Sequence, residues 1–244
     1  GRLSDYQACD GGAVRNGRGR LKGFRRPDSL AVAAGLLIEL ANLQTMFQRL
    51  NQKIRKSKMS DTALLIVDFQ NDYFPTFPSA KWPLDNTEAA AANGAKLLAA
   101  FRAQGLPVFH IRHEFSSADA PFFQPGSEGA QIHASMLPLE GEPVILKHHV
   151  NSFLGTDLQA QLQQRGIKRL FIVGAMSHMC IDAATRAAAD LGYECHLAHD
   201  ACATLAMEWG GIKVPAAQVH AAFMAALQFG YAQVESTDKL LEMV

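Results

Sequence analysis

The chain has no excess of either charge: 23 Lys and Arg stand against 23 Asp and Glu. It therefore lacks the overall basic field that draws a protein to nucleic acid, and no nucleic-acid partner is expected. Long apolar runs are missing as well. The run Leu30 to Ala41 is too short to cross a bilayer, which needs about 20 residues, so no membrane span is expected. Neither GxGxxG nor GxxxxGK followed by Ser or Thr occurs, and a phosphate-cradling loop has no support. Cysteine is scarce. Cys9, Cys180, Cys195 and Cys202 are the four present, and no two have the CxxC spacing of a zinc or redox site. No cofactor and no bound metal are expected, and a reducing cytoplasm is the expected compartment.

What is present is uneven. Residues 1–58 hold 12 Lys and Arg against 4 Asp and Glu, so the rest of the chain carries the acidic balance. Residues 1–27 are rich in Gly and Arg, have little apolar period and are expected to be poorly ordered. Leu36, Leu37, Leu40, Leu43, Phe47, Leu50 and Ile54 then recur at three and four residues, the pattern of an amphipathic helix ending in a basic tail. Three readings of this basic extension stay open: a targeting peptide, a helix that packs on a partner or an anionic surface, or sequence upstream of a natural start at Met59. The compact pattern begins directly after Met59, and residues 59–244 form the expected catalytic domain.

From Met59 onward, short apolar runs alternate with helical periods. Ala63 to Val67 is a strand buried on both faces. Asn86-Thr87-Glu88 opens an Ala- and Leu-rich helix that ends before Gly105. Leu106 to Ile111 and Pro143 to Leu146 are the next two strands, and Leu154 to Arg165 is a helix stopped at Gly166. Leu170 to Val173 is the fourth strand, Ile181 to Leu191 a helix, and Glu194 to Ala198 the fifth strand. A helix over Val214 to Phe229, a strand over Tyr231 to Glu235 and a terminal helix over Thr237 to Met243 close the chain. This alternation predicts a Rossmann-like open α/β sheet of about six mostly parallel strands, with helices on both faces.

Three ionisable residues fall at equivalent places in that scheme. Asp68 follows the first strand, Lys147 ends the third, and Cys180 sits between the fourth strand and its helix. In a parallel sheet these ends share one edge, where open α/β folds bind ligands. A thiol at a helix start also sees backbone N–H groups and the positive end of the helix dipole, which predicts a lowered pKa. The set has the chemistry of a cysteine hydrolase. Asp68 can take the thiol proton and return it to a leaving amine, Lys147 can hold both anions, and backbone N–H groups at the turn can stabilise an oxyanion.

The stretches ALLIVDFQNDYFP, VILKHHVNSF and VGAMSHMCIDAATRAAADLGYEC, with the DAC that closes the next strand, resemble the isochorismatase-like cysteine hydrolases. The likeness spans residues 63–244. It implies a catalytic triad of Asp68, Lys147 and Cys180 and a thioester acyl-enzyme resolved by water. It also implies a cis peptide at Ala175–Met176 that aims the N–H groups of Met176 and Cys180 at one oxygen. An oligomer, dimer or larger, is implied too. Within that family Cys180 favours an amide-type C–N bond over the vinyl-ether reaction of isochorismatases. The aspartate of the Asp-x-His metal motif of nicotinamidases is missing from Phe109-His110-Ile111-Arg112-His113-Glu114.

The loops 74–82 and 112–141 are where specificity for a small-molecule substrate is expected. Phe74, Trp82, His113, Phe153 and His178 are the candidate substrate contacts. Phe74 and Trp82 can equally cover the core edge, Phe153 can shape the loop near Lys147, and His178 can cap the helix start. His110 and His113 are a weak zinc lead. His148 and His149 adjoin on one strand end, cannot ligate one metal from regular strand geometry, and read as a solvated loop. Thr185 and Arg186 read as helix packing. A non-catalytic binding module on the same scaffold is the remaining rival.

Overall fold

A computed structural model describes residues 29–59 and 61–244, so the Gly- and Arg-rich stretch falls outside the described residues. The chain divides into two compact units, Gly1–Asn51 and Gln52–Val244. Helix α1 runs over Ser29–Met59. Of the apolar positions picked from its period, Leu37, Leu40, Leu43, Phe47 and Leu50 are exposed.

In the second unit, β1 (Thr62–Val67), β2 (Val108–His113), β3 (Val144–Lys147), β4 (Arg169–Ala175), β5 (Glu194–Ala203) and β8 (Gln233–Glu235) form one sheet in the order β3-β2-β1-β4-β5-β8. Every neighbouring pair is parallel. Strand β1 is buried along its whole length, and the pleat sends its residues to two faces. Leu64 and Ile66 pack with Leu97, Leu98 and Phe101 of α2 (Thr87–Ala103) and Leu240 of α6 (Thr237–Leu241). Leu65 and Val67 pack with Leu158 and Leu162 of α3 (Leu158–Gln164), Ala188 of α4 (Asp182–Asp190) and Leu227 of α5 (Ala216–Gly230). The apolar run in β1 is thus the spine of two cores, one on each side of the sheet. Among the described residues no helix is long and apolar enough to cross a membrane.

Several elements differ from their sequence bounds. Strand β2 continues past Ile111 to His113, which pairs with Lys147. Strand β5 continues past Ala198 to Ala203. It is interrupted where the register jumps from Ile172↔Leu197 to Gly174↔Cys202, and the polar His199 and Asp200 at that irregularity hide the strand from a search for apolar runs. Helix α3 is shorter than expected because Gly155 takes φ +70°, a backbone that favours glycine and breaks the helical run. A hairpin of β6 (Met207–Trp209) and β7 (Ile212–Val214) lies outside the sheet. Its Gly210-Gly211 turn has two positive φ values, 58° and 77°, as a two-residue hairpin turn requires. Helix α4 is preceded by a π-helical turn over Ser177–Ile181.

The sheet order reverses between β1 and β4, which makes the crevice beyond their C-terminal ends the switch point of the fold. Gly174, paired with Val67, has φ +138°, and a Cβ there would run into the Val67 carbonyl. We expect Gly174→Ala to lower stability by at least about 2 kcal/mol through overpacking of backbone on backbone. Gly105→Ala, at φ +64° with open space around it, should cost only the left-handed backbone term of about 1 kcal/mol. Paired chemical denaturation curves give the comparison, and equal losses would show that the close approach at Gly174 is relaxed away.

Candidate active site

Asp68 is the first residue beyond β1 and sits at φ 52°, a conformation non-glycine residues rarely hold without a local reason. Its N–H donates to Ile111 O at 3.1 Å and its carbonyl accepts from Gln70 N at 2.9 Å, so the strand ladder ends here in a tight reversal. Lys147 is the last residue of β3, two strands away, or about 10 Å at the usual sheet spacing. A lysine side chain can bridge that gap across the end of β2, and Lys147 does so. Its Nζ lies 2.9 Å from Asp68 Oδ2, 3.2 Å from Cys180 Sγ, 2.9 Å from His113 Nδ1 and 3.1 Å from His149 O. Cys180 reaches the group from the π turn after β4. Met176 O anchors that turn, accepting from Met179 N at 3.0 Å and Ile181 N at 3.2 Å. The Ala175–Met176 peptide is cis, as the resemblance implies.

Asp68 and Lys147 are 0% exposed and Cys180 3%. A buried ammonium is tolerated only where its charge and its protons are matched, and the four contacts of Lys147 Nζ do that. Burial raises the Asp68 pKa while the Lys147 ammonium works against the rise. For Lys147 burial favours the neutral amine, but the Asp68 carboxylate and the hydrogen bond to it outweigh this, and the ammonium is held above its ordinary value. The Cys180 thiol is pushed up, first by burial and then by the Asp68 carboxylate, and Lys147 only partly offsets this. This corrects the expectation of a depressed thiol pKa. Helix dipole and lysine are both nearby, but the thiol is buried and the site already holds one anion.

His113, a candidate substrate contact, stands inside this group. Its Nδ1 is 4.0 Å from Asp68 Oδ2 as well as 2.9 Å from Lys147 Nζ. Burial and the neighbouring positive charge lower its pKa to about 3. Ligand atoms of Asp68, His113 and Cys180 all lie within 4.8 Å of one another, a spacing a metal could use, but the ammonium of Lys147 already serves these groups as their cation. His110 does not join His113. It faces the other way along β2 and lies 2.9 Å from Glu142 Oε2, which also holds Arg102. His148 and His149 are exposed.

The other candidates each have partners of their own. Phe74 is buried and stacked on His133 at 3.6 Å. Trp82 is 37% exposed and stacks on Phe122 at 4.9 Å. Phe153 stacks on Tyr193 at 6.2 Å. His178 Nδ1 lies 2.6 Å from Thr204 Oγ1, and its ring meets Phe223. A cavity of about 360 Å³ near Thr204, Cys202 and His220 includes none of Asp68, Lys147 and Cys180.

The sequence reading missed Gln70, Asp72 and Tyr73. Gln70 Nε2 donates to the carbonyls of His113 (2.7 Å) and Ala130 (2.8 Å), and its Oε1 accepts from His113 N at 2.7 Å. Buried Asp72 accepts from Lys81 N at 3.1 Å and Phe123 N at 2.7 Å, tying the two long loops to the end of β1. Tyr73 packs on Phe122 and Phe123. Burial, together with the nearby Asp68 and Asp72 carboxylates, holds its phenol protonated. The available signal was three polar-headed residues packed directly behind a strand with no glycine or proline between them.

Comparison with known proteins places this geometry. The Isochorismatase domain family model matches residues 62–237. The isochorismatase family protein YddQ of Bacillus subtilis is 51% identical over 181 residues, which cover 74% of this chain and 99% of that protein. A crystal structure described as an isochorismatase hydrolase from Oleispira antarctica has 66% sequence identity and a TM-score of 0.73. It covers 75% of this chain and 97% of its own. The ureidoacrylate amidohydrolase RutB of Variovorax paradoxus is 26% identical over 191 residues, covering 66% of this chain and 74% of that protein.

Removing the Asp72 carboxylate leaves the buried Phe123 N–H and the part-buried Lys81 N–H without an acceptor. We expect Asp72→Ala to lose about 1–3 kcal/mol of stability, with faster amide hydrogen exchange at Lys81 and Phe123 and little change at Val67. Exchange followed by mass spectrometry of peptides from both loops checks this, and protection unchanged in both loops would refute the tether.

Proposed function

The chain belongs to the isochorismatase family, and from that premise we propose that it is a cysteine hydrolase that cleaves an amide-type C–N bond of a small molecule through a thioester. The observation that carries the reading is the single ammonium of Lys147 held within 2.9 Å of a carboxylate and 3.2 Å of a thiol, all three buried. A structural ion pair has no need of the thiol.

In the proposed reaction Cys180 Sγ attacks the substrate carbonyl as Asp68 takes the thiol proton. The carbonyl oxygen becomes an oxyanion and is received by the N–H groups of Met176 and Cys180. Among the described residues nothing accepts a hydrogen bond from the Met176 N–H, which leaves that donor for a ligand. The tetrahedral intermediate collapses, the C–N bond breaks, and Asp68 returns the proton to the departing amine. Water, deprotonated by Asp68, then cleaves the thioester to give a carboxylic acid and restores the thiol. Lys147 keeps its proton throughout, as its raised pKa requires. The name of the Variovorax relative, an amidohydrolase, supports the bond type. Cys180, Cys195 and Cys202 are all free thiols, which suits the reducing cytoplasm we propose as its compartment.

A panel of small carboxamides and ureides, assayed for released amine or ammonia, tests the proposal. Turnover should fall at least about 1,000-fold in Cys180→Ala and in Asp68→Asn, since each removes a group the bond-making step needs. Hydroxylamine should trap the acyl group carried by Cys180. Turnover that survives in Cys180→Ala would sink the thioester and favour cysteine-independent vinyl-ether hydrolysis. The pH profile is a separate check. With the thiol pKa raised, iodoacetamide labelling of Cys180 in the free protein should keep rising above pH about 8.5, the value for an ordinary thiol. A plateau below that pH would mean a resting thiolate.

A further inference from the structure

The far nitrogen of His113 is a buried donor at the site that the proposed reaction leaves without a role. The ring is buried, 4% exposed. Its Nδ1 faces the Lys147 ammonium at 2.9 Å, and an ammonium can only donate, so Nδ1 must accept and the ring proton sits on Nε2. Among the described residues that buried Nε2 has no hydrogen-bond partner. An unsatisfied buried donor in a native fold calls for a reason, and a missing ligand is one. The ring is also fixed. Gln70 clamps the His113 backbone on both its N–H and its carbonyl, and Phe115 and Phe123 flank the imidazole at 4.7 and 6.1 Å. A ring nitrogen of His113 lies within 4.8 Å of Cys180 Sγ, so a small group attached to Sγ is within reach of the ring.

We propose that His113 is a substrate-binding residue whose Nε2–H donates to an acceptor carried one or two bonds from the carbonyl that Cys180 attacks. This rests on the hydrolase reading and narrows it. The substrate is a small amide with a second oxygen or nitrogen acceptor beside the scissile group. A plain alkyl amide leaves the His113 proton unpaired on binding, and a site built to hydrogen-bond its substrate discriminates against an analogue that lacks the partner.

The test uses two covalent adducts on Cys180 of the full chain with isotope-labelled histidine. Iodoacetamide leaves a carbamidomethyl group, which carries a carbonyl acceptor, and methyl iodide leaves a methyl group, which carries none. Magnetic resonance of the ring, assigned by its loss in His113→Gln, should show the proton on Nε2 in both adducts. The Nε2–H signal should move downfield in the carbamidomethyl form alone. The preference of Cys180 for iodoacetamide over methyl iodide, referred to free cysteine, should fall about fivefold in His113→Phe, the worth of one neutral hydrogen bond. His113→Gln, whose amide can still donate, should keep most of it. An identical Nε2–H signal in both adducts would mean a buried water or an idle donor and would overturn the proposal, as would a proton on Nδ1. The hydrolase reading fails separately, if Asp68→Asn leaves both alkylation rates unchanged.

Discussion

Everything at this site depends on keeping one fully buried ammonium charged. Lys147 is fully buried, and an uncompensated ammonium in that setting would cost several kcal/mol. Its neighbours remove that cost by surrounding Nζ with a carboxylate, a thiol, an imidazole nitrogen and a main-chain carbonyl. Each comes from a different segment: the end of β1, the turn after β4, the end of β2 and the loop after β3. The lysine therefore joins the ends of three parallel strands and a turn. The same contacts fix the states of the others, with His113 obliged to accept at Nδ1 and Asp68 supplied with its counter-charge.

The fold makes this convergence possible first through strand order. Asp68 and Cys180 are 112 positions apart in the chain, yet β1 and β4 are adjacent, and they flank the point where the sheet order reverses. Their ends can close on one another because Gly174 lets the β4 backbone approach Val67. The positive φ of Asp68 and the π turn that carries Cys180 lie just beyond the close approach. Three backbone irregularities thus fall within a few residues of Asp68 and Cys180, while β1 itself is regular and fully buried.

How much of this could be read from the sequence follows from which signals are local. The runs ALLIV and LFIV are apolar because both faces of those strands are covered, and they declare themselves. Asp68, Lys147 and Cys180 were legible because each ends or follows such a run. His113 was harder, since Arg112 and His113 read as the start of a loop. They belong to β2 because they pair with Leu146 and Lys147 of β3, and Gln70, from another segment, satisfies the His113 backbone on its other side. Gln70 and Asp72 were missed for the same reason: their partners at Ala130, Lys81 and Phe123 are remote or lie in loops without periodicity. The direction of the thiol pKa was misjudged because a helix start and a lysine are visible in sequence, whereas total burial beside a second anion is a property of the folded site.

That raised thiol pKa does not oppose the proposed chemistry. A pKa measures proton loss to bulk water, and such loss would leave two anions sharing one ammonium. The proposed step loses nothing to water. The proton moves from Cys180 to Asp68, and the negative charge moves from Oδ2, 2.9 Å from Lys147 Nζ, to Sγ, 3.2 Å from it. The net charge of the site is the same before and after, and the attraction to the lysine is nearly the same. In a medium of low polarity such a transfer avoids the large cost of creating a new charge. Reorganisation is also small, because the cation is already in place for both anions. A thiol that resists ionisation in the empty site can therefore still be a nucleophile once a carbonyl lies beside it, and it is protected from adventitious electrophiles until then. The neutrality of His113 fits this economy of charge: a protonated imidazole beside the ammonium would repel it and compete for Asp68, whereas a neutral one accepts from the lysine on one side and keeps a proton to offer on the other.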